Sequence, residues 1–313
     1  MTAEAKELTA EDAQLSEISK TVEGAGFAYS RLNCVGKQIC GLTLLAEYPF
    51  LRHLDLSQNC IKDVRPISSL RHVLSLNLSS NAISSVDWAP EDLRHLLFLD
   101  MNSNKLSELP QLHMPALRRA DFRDNEIVSC AKFSGHAGLQ TLRLSGNQLS
   151  SVQGLQAMPK LEVLELSGNA LSSLDVTKLP ALASLDISKN KFETLAGPWQ
   201  EMAALASLDA SGNALAEVKA LEPLQQMEAL RSFAMAGCPL EEQEGLNLRL
   251  EILIFRTLQM INGEEVPPEE RDEAQALHEK RLEEEAERLR QEEEARLAAE
   301  EAAKEGQEPV EEE

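Results

Sequence analysis

Asp55, Asp100, Asp121, Glu165, Asp186 and Asp209 each stand four residues before an asparagine, and Arg143 stands at the same place before another. Carboxylates close together can act as an acid/base pair or hold a cation. These recur about once per 22 residues, which spreads them into a row. An evenly spaced row of charge suits binding an opposite charge, not bond-making chemistry. Arg119 and Arg123, at flanking positions, make one basic break with Arg143. No phosphate loop of the form GxxxxGK[ST], no GxSxG elbow, no HExxH pair and no Ca²⁺ loop occurs. The paired acids near the end of the chain read as a solvated helix face. His72 and His95 lie in "RHVLSL" and "RHLLFL", so repetition explains them better than ligation. The expectation is no catalytic residue, no metal and no cofactor.

The elements that position this row are repeats. The pattern LxxLxLxxNxL runs through "LRHLDLSQNCI", "VLSLNLSSNAI", "LLFLDMNSNKL", "LRRADFRDNEI", "LQTLRLSGNQL", "LEVLELSGNAL", "LASLDISKNKF" and "LASLDASGNAL". Its asparagines are Asn59, Asn81, Asn104, Asn125, Asn147, Asn169, Asn190 and Asn213, spaced 21 to 23 residues apart. That period and pattern are the leucine-rich-repeat signature. The LxL alternation points both leucines one way from a short strand. Stacked in parallel, the strands bury them in one continuous core. The asparagine carries donors and an acceptor. It is expected to satisfy the turning backbone and to join the asparagine of the next coil. The predicted fold is α/β: a right-handed solenoid of about ten coils with a parallel sheet on its concave face. Residues between the leucines point into that concavity. They are Asp55, Asn77, Asp100, Asp121, Arg143, Glu165, Asp186, Asp209 and Ala234, six of nine being acidic. Two readings stay open: a groove for a basic segment or helix, or polar residues that merely face water.

Five predicted regions follow: an acidic N-terminal segment at 1–24, the solenoid at 25–240, a cap at 241–263, a charged helix at 264–305 and a disordered acidic tail at 306–313. "RLNCVGKQICGL" fits a degenerate first coil, with Lys37 at the asparagine position. "LRSFAMAGCPL" puts Cys238 there in the last. "LNLRLEILIFRTLQMINGEEV" reads as a short amphipathic helix over the open end of the core. The helix after it carries Glu284–Arg288, Glu292–Arg296 and Glu300–Lys304 in the favourable orientation. Its leucines are sparse, so it reads as a solitary solvated helix or as one strand of a coiled coil.

The chain has 313 residues and a net charge of −22. Residues 264–313 hold 21 acids and 7 bases, and residues 1–24 hold 6 and 2, which leaves the repeats nearly neutral. Acidic ends argue against nucleic acid and anionic membrane as partners. The first residues lack the pattern of a signal peptide, and the five scattered cysteines suggest a reducing compartment.

The regular repeat resembles the intracellular class shared by the protein-phosphatase-1 regulator and an axonemal dynein light chain. The flanks narrow this. "VEGAGFAYSRLNCVGKQICGLTLLAEYPFLRHLDLSQNCIKDVRPISSLRHVLSL", the long coil "KFETLAGPWQEMAALASLDASGNALAEVKALEPLQQMEALRSF" and the cap with "EERDEA" resemble the leucine-rich-repeat radial spoke proteins of motile cilia. The similarity covers about residues 22–290. Such caps carry Pro and Asp where this chain has Thr257 and Asn262, and Cys238 replaces an Asn. The resemblance implies a non-catalytic structural subunit of the radial spoke, located in the cytoplasm and cytoskeleton at the axoneme. Its partners would be other spoke subunits. The alternative is a regulatory subunit of protein phosphatase 1.

Overall fold

The structure is a computed structural model that describes residues 6–21, 26–89, 91–243, 245, 247–256 and 258–305, with side chains as far as 296. The expected tail at 306–313 and Thr257 lie outside them. Short strands follow one another along the chain: β1 (Lys6–Glu7), β2 (Gln14–Lys20), β3 (Phe27–Asn33), β4 (Ile39–Gly41), β5 (His53–Asp55), β6 (Ser75–Asn77), β7 (Phe98–Asp100) and β8 (Arg119–Asp121). They continue as β9 (Thr141–Arg143), β10 (Val163–Glu165), β11 (Ser184–Asp186), β12 (Ser207–Asp209), β13 (Ser232–Ala234), β14 (Met260–Ile261) and β15 (Glu264–Glu265). Two α-helices, α1 (Leu248–Phe255) and α2 (Pro268–Glu305), close the order.

Thirteen strands make one sheet, from β2 and β3 through β5 to β15 in chain order, and all are parallel except the outermost at each end. Each strand inside a repeat has three residues, centred on the first leucine of LxL. Leu54, Leu56, Leu142, Leu144, Leu164 and Leu166 are buried, as the alternation requires. The opposite side carries 3₁₀ turns, among them Thr43–Glu47, Arg65–Ser69 and Val218–Gln226. Strands stack at roughly 4.8 Å. The bulkier turns need more room per coil, so the sheet lies on the inner, concave side.

The residue before each ladder position is left-handed: Gly36, Gln58, Ser80, Ser103, Asp124, Gly146, Gly168, Lys189, Gly212 and Gly237 have φ between 53° and 70°. This turn leaves strand-end carbonyls without a ladder partner, and the asparagine takes them. Asn147 Nδ2 donates to Leu144 O (2.9 Å) and to Phe122 O of the preceding coil (3.0 Å). Its Oδ1 accepts from Ile127 N (3.0 Å). Asn59, Asn81, Asn104, Asn125, Asn169, Asn190 and Asn213 repeat the arrangement. The expected asparagine-to-asparagine link does not form, since both ends of each amide already hold backbone groups of the preceding coil. Cys238 keeps one of these bonds: its thiol donates to Ala210 O (3.5 Å). Asn262 Oδ1 accepts from Met235 N (2.9 Å), where the earlier coils use a backbone carbonyl of the next strand, as Glu165 O serves Leu144 N, so it ends the sheet and is not a rung of the ladder.

Three segments differ from the reading above. Residues in the acidic N-terminal stretch form β1 and β2, and β2 pairs antiparallel with β3 over the first coil, with Leu8 buried. In the cap only α1 is helical. The chain then adds β14 and β15 to the sheet. Helix α2 is solitary only in part. Its first turns pack on α1, burying Ala274 and half-burying Leu277 against the core. Arg281 meets the buried Glu251 of α1 with two hydrogen bonds (2.6 and 2.8 Å), and Arg249 of α1 meets Glu270 (3.0 Å). From Leu282 to Arg296 every residue is exposed.

Candidate partner-binding face

The strand register sets the face. Asp55 pairs with Asn77, Asn77 with Asp100, Asp100 with Asp121, Asp121 with Arg143, Arg143 with Glu165, Glu165 with Asp186, and Asp186 with Asp209. The residues singled out from the sequence therefore stand in one row across the sheet. Arg119 stands in a second row, two residues earlier on each strand, with His53, Ser75, Phe98, Thr141 and Ser184.

Within the row the carboxylates have a local task that the sequence reading missed. Oδ1 of Asp55, Asp100, Asp121, Asp186 and Asp209 accepts from the backbone N–H two residues on, at 2.9 to 3.1 Å. Asn77 does the same to Ser79 N (3.0 Å). The short side chain caps the strand end where the chain begins to turn, as Asx turns do. The signal was legible as the recurring "DLS", "NLS", "DIS" and "DAS". Arg143 and Glu165 are too long to do this, and there the row carries an ion pair instead.

The centre of the row is neutralised from within. Arg123 grips Asp121 with two nitrogens (2.7 Å at the closest), and that partner holds its guanidinium pKa above the ordinary value. Arg143 bridges Glu165 (2.9 Å) and Asp121 (3.7 Å). Arg119 lies over the Phe98 ring, 5.7 Å from its centroid. Burial, with the nearby Asp121 charge, raises the pKa of Asp100, while hydrogen bonds from Asn102 work against the rise. Among the described residues Asp55, Asp100, Asp186 and Asp209 have no cation within ion-pair distance, though the charge of Arg123 still acts on Asp100. The charge left on the face is thus anionic at its two ends. Asp186 and Asp209 stand beside Ser184, Ser207, Ser188 and Ser211, which leave the backbone approachable.

The buried cysteines and the buried histidine are in packing positions. Burial pushes the Cys130 thiol up to about 12 and raises Cys34 and Cys238, which disfavours thiolates there. Cys40 and Cys60 are free and at least partly exposed. His136 is buried, with Nε2 on Met114 O (2.8 Å) and Nδ1 accepting from Gly138 N (3.1 Å). Among the described residues no three His, Cys, Asp or Glu side chains converge as a metal site. No described helix is long and apolar enough to cross a membrane.

Comparison with known proteins agrees with the geometry. Models of leucine-rich repeats match residues 137–176, 159–215, 49–64 and 69–86. The chain is similar to leucine-rich repeat-containing protein 23 of Homo sapiens, 29% identical over 298 residues, covering 87% of this chain and 79% of that protein. The Bos taurus protein of the same name is 29% identical over 290 residues, with 85% and 77% covered. Among solved structures, the functional domain of InlJ from Listeria monocytogenes superposes with a TM-score of 0.52 at 19% identity, over 77% of this chain and 56% of that one. That likeness concerns the fold alone. The chain is a leucine-rich-repeat solenoid, a fold that serves protein binding.

Proposed function

We propose that this leucine-rich-repeat chain is a non-catalytic structural subunit of the ciliary radial spoke, a protein-binding scaffold that normal ciliary motility requires. The observation that carries the reading is the extent of the similarity to leucine-rich repeat-containing protein 23. It spans 87% of the chain, so it takes in flanks outside the repeats, where the sequence resembles radial spoke proteins. The partners are other spoke subunits. A basic segment or helix in the concave groove would meet Asp55, Asp186 and Asp209, while the Arg119–Asp121–Arg143–Glu165 centre stays internally balanced. The action is mechanical. Coils share one packed core, so bending must shear every coil against its neighbour, and the body holds its partners at fixed spacing.

Localisation to the cytoplasm and cytoskeleton, at the axoneme of the cilium or flagellum, follows from this reading. Tagged protein should stay with cilia stripped of membrane by detergent. Cells lacking it should build cilia that beat weakly or irregularly. A nuclear location, or normal beating without the protein, would overturn the proposal and favour regulation of protein phosphatase 1.

A further inference from the structure

The sheet ends on an open edge. Among the described residues β2 has one neighbour, β3, and its other side faces no strand. Thr21 N–H donates to Gly26 O across the hairpin (2.9 Å). Antiparallel bonding alternates, so Lys20 and Ile18 turn their N–H and C=O groups outward. Glu17, at φ 56°, kinks the strand and ends this run. The open stretch is Ile18–Lys20. Three residues is also the length over which the repeat strands of this sheet pair.

Three exposed apolar side chains lie beside this edge, with the charged Lys20 among them. Ile18 pairs with Tyr29 and Lys20 with Phe27, and directly opposed residues share a face. Ser30 and Leu32 point into the core, so Phe27 and Tyr29 point to the concave side. Phe27 (71% exposed) and Ile18 (64%) are the two most exposed large apolar side chains among the described residues, and Tyr29 is 43% exposed. Arg31 of β3 continues the face into His53 of β5.

From this we infer that the chain has a second docking site, the β2 edge, which takes an extended segment of another protein as an added strand. The outward N–H and C=O groups select extended backbone. Ile18, Phe27 and Tyr29 select apolar side chains at alternate positions of the segment. A second copy of this chain is disfavoured, because two bodies of charge −22 would have to meet. The inference does not depend on the ciliary reading.

The test pans a phage-displayed library of random twelve-residue peptides on the full chain. Enriched peptides should carry apolar residues at alternate positions. Ile18→Asp should weaken the synthesised peptides by at least about tenfold. So should Lys20→Pro, which removes an outward donor and leaves the hairpin bonds of Ser19 and Thr21 in place. Both positions are exposed or at the edge, so melting should be unchanged. N-methylation of the peptide at alternate amides should abolish binding in one phase and spare it in the other. Asp186→Asn with Asp209→Asn should leave this binding intact, separating it from the concave face. The inference is overturned if no peptide is enriched, or if both variants bind as wild type does. It is also overturned if both methylation phases bind equally, or if the chain forms a dimer that Lys20→Pro breaks.

Discussion

Replacing Asn147 by alanine removes partners from Ile127 N–H and from the carbonyls of Phe122 and Leu144, all inside the turn. Water cannot reach them there, so the loss should be about 1–3 kcal/mol of stability. Ser150 is exposed on the following loop, and Ser150→Ala should shift a denaturant midpoint little. Equal midpoints for the two variants would refute the ladder. His136 gives a second test. Gly138 N–H fixes the acceptor at Nδ1, so the ring is neutral and Nε2–H donates to Met114 O. Burial, and then the charge of Arg118, hold its pKa below the ordinary 6.5. The unfolded chain therefore takes up this proton first. The stability His136 contributes is present above pH 6.5 and is lost as the pH falls below it. Denaturant melts between pH 7 and pH 5 should show that decline, and His136→Asn should flatten it. The asparagines were legible from the sequence because each repeats at one phase. His136 was not, because one histidine in one coil has no period, and its role depends on a carbonyl 22 residues away.

At the scale of elements, the junction of α1 and α2 decides how much of the charged helix belongs to the body. Glu251 is buried, and Arg281 is its charge partner (2.6 Å). That contact holds the Arg281 pKa above its usual value. Arg281→Ala strands a buried carboxylate. Arg281 itself is half-exposed, so water softens the loss to about 1–3 kcal/mol. Adding Glu251→Gln to that variant should recover part of it, because the remaining group is neutral. A chain ending at 281 should melt like the full chain, since Leu282 and Leu289 are exposed. A chain ending at 267 loses Ala274, Leu277 and the clasp, and should melt markedly lower. Equal melting of the two truncations would show that α2 does not dock. Charge content and i,i+4 pairs made the helix readable. Its docking was hidden because Glu251 and Arg281 are thirty residues apart and neither breaks the local pattern. The N-terminal hairpin was hidden for a related reason: its antiparallel pairing caps the coil without any leucine repeat.

Across the whole molecule, the carboxylates proposed to meet a partner also cap the strand ends, and a useful variant must separate the two roles. Reversing Asp121 would break its bonds to Arg123 and Arg143 and the cap on Arg123 N–H. Lost binding would then report lost structure. Asp186 and Asp209 have no such ion pairs among the described residues and cap only Ser188 and Ser211. Asn keeps the Oδ1 acceptor, as Asn77 already does in the same row. Asp186→Asn with Asp209→Asn should therefore leave the melting curve in place while removing two negative charges from the groove. On the radial-spoke reading proposed above, a basic partner in the groove would make the variant leave demembranated cilia at lower salt than wild type, since each exposed charge contact contributes about 0.2–1 kcal/mol and is screened by ions. Release at the same salt as wild type would place the contact elsewhere on the solenoid. A lower melting temperature would mean that the charge itself, and not only the cap, holds the strand ends.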